Sequence, residues 1–83
     1  MNNVTQKISE LKRRINNNFT KQLDIVEKLL HLTFLVKTES VAMETARIEF
    51  NRLKERHTEL KERADKYINE LEVLELCVGV CEN

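Results

Sequence analysis

Apolar residues recur along this chain at alternating spacings of three and four. With Ile8 at heptad position a and Leu11 at d, the seam reads Val4, Ile8, Leu11, Ile15, Asn18, Gln22, Ile25, Leu29, Leu32, Val36, Glu39, Met43, Ala46, Phe50, Leu53, His57, Leu60, Ala64, Tyr67, Leu71, Leu74, Val78 and Cys81. All but Asn18, Gln22, Glu39 and His57 are apolar, in a chain that is 41% hydrophobic overall. A repeat averaging 3.5 residues and held this long is the signature of helices packed along one seam. It predicts an all-α protein.

The pattern permits either one long rod or a hairpin. A continuous helix from Asn3 to Val78 would be roughly 115 Å long at the α-helical rise. Lys37-Thr38-Glu39-Ser40 is the one place where capping-type residues cluster between apolar runs. Glu39 is also the only charged residue in the seam, and a carboxylate there resists burial. Thr38 or Ser40 could cap a second helix, with Glu39 or Glu44 in its first turn. The hairpin reading therefore has a first helix over residues 3–36, a turn at 37–40, a second helix over 41–77 and a short apolar tail at 78–83, all in one domain.

Charge decides between the two. Residues 1–22 carry Lys7, Lys12, Arg13, Arg14 and Lys21 against Glu10, a net of +4. Residues 67–83 carry Glu70, Glu72, Glu75 and Glu82 without a base, a net of −4. A parallel in-register dimer would set like charges side by side, whereas an antiparallel fold sets the basic start beside the acidic end. The expectation is an antiparallel two-helix coiled-coil hairpin, with the continuous helix as the alternative. A turn centred at residues 37 and 38 pairs Asn18 with His57, Ile25 with Phe50, Leu29 with Ala46, Leu11 with Ala64 and Ile8 with Tyr67. The Asn18–His57 pair would be a buried polar contact of the kind that fixes register at some cost in stability.

One seam does not use all the apolar surface. Phe19, Leu23, Val26 and Leu30, with Phe34 and Leu35 nearby, form a second stripe on the first helix. A helix apolar over so much of its circumference is normally surrounded by neighbours. These six residues are the candidate partner-binding surface, through self-association into a larger helical bundle or through a helical protein partner.

Composition adds mainly exclusions. Proline is absent and Gly79 is the only glycine, so nothing interrupts a helix before the last few residues. No uncharged run is long enough to span a bilayer, and no signal-peptide pattern opens the chain; the expectation is a soluble, cytoplasmic protein without membrane contact. Cys77 and Cys81 are half a zinc site, with His31 and His57 far off in sequence, and apolar neighbours fit packing better than a metal. The chain has no glycine-rich phosphate loop, no nucleophile–base set and no Glu-x-x-His pair, so no enzyme activity, catalytic residue, metal or cofactor is expected.

Two functions remain. The first is a non-enzymatic protein–protein interaction module, such as an adaptor, chaperone, inhibitor or subunit of a coiled-coil assembly. The second is nucleic-acid binding through Lys7, Lys12, Arg13, Arg14 and Lys21. A formal net charge of zero, interleaved acids on the second helix and aromatics confined to apolar faces place it behind the first.

Overall fold

The computed structural model describes residues 3–82, with side chains described through residue 78. Two α-helices account for nearly all of it: α1, Asn3–Lys37, and α2, Met43–Glu82. They pack against each other as an antiparallel hairpin whose Cα envelope measures 62 × 15 × 15 Å. A 40-residue helix is itself about 60 Å long, so the envelope is one helix long and two helices wide. The continuous rod is excluded.

The reversal is built without glycine. Glu39 adopts φ 58°, in the left-handed region. Its N–H donates to the Val36 carbonyl, and the Ser40 N–H donates to the Leu35 carbonyl at 2.9 Å. These two bonds form a Schellman motif, with Glu39 in the position glycine usually takes. The Thr38 hydroxyl donates back to the Phe34 carbonyl at 3.0 Å and lies 3.0 Å from the Ser40 hydroxyl. Thr38 and Ser40 thus finish α1 and do not cap α2, correcting the expectation from their residue types. The N-terminus of α2 falls two residues later than expected, where the Ala46 N–H donates to the Ala42 carbonyl. Glu44 lies in that first turn, where the helix dipole favours an acid.

A side chain with a Cβ held left-handed costs about 1–2 kcal/mol, partly offset by the lower chain entropy of a non-glycine residue when unfolded. Glu39→Gly should therefore stabilise the hairpin by roughly 0.5–1 kcal/mol, read as a higher urea midpoint at unchanged slope. A lower midpoint would contradict the left-handed assignment.

The far end also differs from expectation. α2 continues through Gly79 to Glu82, so the separate tail at 78–83 is not seen over the described residues. One glycine costs only about 1 kcal/mol relative to alanine in a helix, too little to stop it alone.

Among the described residues, every buried one lies on the heptad seam: Leu11, Ile15, Asn18, Ile25 and Leu32 from α1, and Ala46, Leu53, Leu60 and Ala64 from α2. The other described seam positions are half-buried, except Glu39, Met43 and Phe50, which are exposed. No described side chain is completely enclosed, because two helices can shield each other along one face only.

The register differs from the expected one. Asn18 lies against Leu60, Ile25 shares a groove with Leu53, and Leu32 shares one with Ala46. Each α1 residue meets a partner three positions farther along α2 than a turn at residues 37 and 38 implies. The cause is the longer reversal, which is centred on Glu39. The Asn18–His57 pair is therefore corrected. The Asn18 amide donates to the Leu60 carbonyl at 2.9 Å, and its oxygen accepts from Gln22 Nε2 at 2.6 Å. His57 is half-buried at its seam position without a share in that bond.

Candidate interaction surface

At 100° per residue, Phe19, Leu23, Val26, Leu30 and Phe34 fall within about 80° of arc on α1, roughly a third of a turn away from the seam. Packing along the seam cannot cover them. Phe19 is 43% exposed, Leu23 64%, Val26 39%, Leu30 66% and Phe34 60%. The stripe rises about 22 Å along the helix and contains no charged side chain within its arc. Leu35 does not belong to it. It is half-buried in a separate groove with His31, Glu49 and Leu53, because its heptad position turns it toward α2.

Where the stripe approaches the turn it adjoins an apolar groove of about 280 Å3 formed by both helices. Leu32, Thr33 and Val36 line one wall and Met43, Ala46 and Phe50 the other, with Lys37 and Arg47 at its edges. Periodicity alone places Met43 and Phe50 inside the seam, yet Met43 is 65% exposed and Phe50 41%. Leu53 takes the place opposite Ile25 that Phe50 was expected to fill, and Met43 is the first residue of α2, next to the turn. Their exposure follows from the turn geometry, which heptad counting does not encode.

The five basic candidates Lys7, Lys12, Arg13, Arg14 and Lys21 are all exposed on α1. Arg13 and Arg14 both turn to Glu10, Arg14 at 2.8 Å. Lys7 and Arg14 share a groove with Glu70, the basic start lying beside the acidic end as the charge pattern predicted. No direct ion pair joins the two helices among the described residues; every salt bridge lies within one helix. Lys21 lines a groove with Lys28, Arg52 and Arg56. Three of these four cations are neutralised locally: Lys28 by Asp24, Arg52 by Glu49 and Arg56 by Glu59. Hydrogen bonding from Arg52 holds the Glu49 carboxyl below the usual carboxylate range, and the same bond raises the Arg52 guanidinium. A phosphate backbone would have to compete with these carboxylates for Arg14, Lys28, Arg52 and Arg56.

Cys77 is an exposed free thiol, and the side chain of Cys81 lies outside the described residues. Among the described residues, no three His, Cys, Asp or Glu side chains converge closely enough to hold a metal ion. No helix is long and apolar enough to cross a membrane, over the same residues. Comparison with protein-family models, with curated proteins and with solved structures finds no match for this chain.

Proposed function

We propose that this protein is a recognition module that binds another protein chain by helix packing, using the exposed stripe of α1. The supporting observation is the contrast between the two faces of one helix. The seam face is covered by α2, while Phe19, Leu23, Val26, Leu30 and Phe34 form an unbroken series at helical spacing that remains 39–66% exposed. Contiguous apolar surface of this kind marks interaction sites, whereas scattered exposed apolar residues do not. Such a stripe fits an amphipathic helix or a helix pair laid along it, with alternate residues as anchors. Carboxylate pairing of Arg14, Lys28, Arg52 and Arg56 and the formal net charge of zero weigh against the nucleic-acid reading.

Leu30 and Ile48 make a matched test, since they are 66% and 68% exposed and only Leu30 lies on the stripe. Capture of protein from the cell of origin should fall at least tenfold for Leu30→Asp and remain unchanged for Ile48→Asp, both with intact helical circular dichroism. Equal losses would reduce the stripe to general stickiness. Equal retention together with salt-sensitive elution from DNA would favour the basic face instead.

A further inference from the structure

The order of residues along the stripe specifies what covers it. Phe19 and Phe34 stand equally far from the peptide bond between Val26 and Glu27, and so do Leu23 and Leu30. Val26 adjoins that midpoint, so the stripe reads Phe, Leu, Val, Leu, Phe from either end. All five are exposed, and all lie on the one uninterrupted helix α1. A two-fold contact requires a patch that is complementary to itself, with each residue meeting its mirror position on the other subunit. For two antiparallel helices, a stripe that reads the same in both directions meets that condition with like residues at each level. A different partner protein imposes no such symmetry.

From this we infer that the α1 stripe is covered by the α1 stripe of a second copy, packed antiparallel about a two-fold axis beside Val26. Two hairpins thereby form a four-helix assembly. The inference rests on the reading of the stripe as the recognition surface and names its occupant. Phe19 of each copy lies over Phe34 of the other, and Leu23 lies over Leu30, while Val26 meets its own copy. The Phe34 end adjoins the groove walled by Thr33, Val36 and Phe50, so the incoming Phe19 has a concave apolar surface beside it. Aromatic pairs in this setting favour offset or edge-to-face contact.

Charge selects the same orientation. Parallel pairing would set two N-terminal segments of net charge +4 side by side. Antiparallel pairing sends them to opposite ends of the assembly. Glu27, at the rim beside the axis, faces its own copy; both carboxylates are exposed and screened at physiological salt. With five anchors on each side, the contact belongs at the small end of specific interfaces, so the dimer forms in the micromolar range.

Asn16 and Lys37 lie on the same arc, equally far from the midpoint and outside the apolar stripe, which makes them orientation probes. In a full-length chain carrying Cys77→Ser and Cys81→Ser, Asn16→Cys and Lys37→Cys are prepared separately and oxidised alone or mixed. Antiparallel pairing gives a disulfide-linked dimer in the mixture and at least tenfold less in either sample alone. Like positions in such a pair stand roughly 30 Å apart along the axis. Self-linking of each variant alone, at the yield of the mixture, would establish a parallel pair and overturn the inference. Light scattering of the parent chain up to about 100 μM should approach twice 9.8 kDa. A monomer throughout would also overturn it, leaving the stripe to a different protein. The Leu30 and Ile48 comparison decides that case, so the two failures are distinguishable.

Discussion

Asn18→Asp should unfold the hairpin at neutral pH, whereas Asn18→Leu should leave it folded. Asn18 is 5% exposed and its Nδ2 donates across the seam to the Leu60 carbonyl. Aspartate has nearly the same shape but sets oxygen against oxygen at that contact. Gln22 Nε2 can still serve one carboxylate oxygen. The other would be a buried charge facing a carbonyl, a defect that costs on the order of 3–5 kcal/mol. A small domain with one narrow core has little more stability than that to lose. Leucine removes the donor and its need for a partner together. The Leu60 carbonyl keeps its bond within α2, so the expected cost is about 1 kcal/mol or less.

The aspartate variant also carries a signature in pH. Burial raises the carboxyl pKa in the folded state above its unfolded value near 4. Its destabilisation is therefore fully present above the folded value and lifts as pH falls through it toward the unfolded one. Urea midpoints at pH 7 and about pH 3.5, each compared with the parent chain under the same conditions, would show the gap narrowing in acid. Equal midpoints for Asn18→Asp and Asn18→Leu at pH 7 would mean that Asn18 does not lie against α2.

The seam was legible because burial against one neighbouring helix imposes a strict period, and every buried residue from Leu11 to Ala64 obeys it. Antiparallel direction was legible in the opposed charges of the two ends, which share a groove through Lys7, Arg14 and Glu70. Register was not. It depends on how many residues the reversal consumes, and the residue types at 38–40 point the wrong way. Thr38 and Ser40 have the character of an N-cap yet act at the end of α1, and Glu39 occupies a left-handed position that glycine would have announced. That displacement of three residues moved Asn18 from His57 to Leu60.

The exposed apolar stripe of α1 could be read from periodicity except at its edges. Leu35 follows Phe34 in sequence but turns to the other side of the seam. The groove formed with Met43 and Phe50 depends on how the two helices are set against each other, which no one-dimensional pattern contains. The course of α2 beyond Gly79 was missed because glycine weakens a helix without obliging it to end.

The hairpin itself leaves the α1 stripe bare, so its closure within a single chain is the claim to test most directly. Lys7 and Glu70 line the same groove at the open end of the hairpin, far from Glu39. Spin labels at these two positions, in a chain carrying Cys77→Ser and Cys81→Ser, should lie at roughly the 8–10 Å helix spacing plus the reach of two label arms. In a single uninterrupted helix they would stand about 95 Å apart. Dilution with a tenfold excess of unlabelled chain isolates the distance within one molecule. The fold described here predicts a short distance that survives dilution unchanged. A short distance that vanishes on dilution, or a distance near the full helical length, would contradict it.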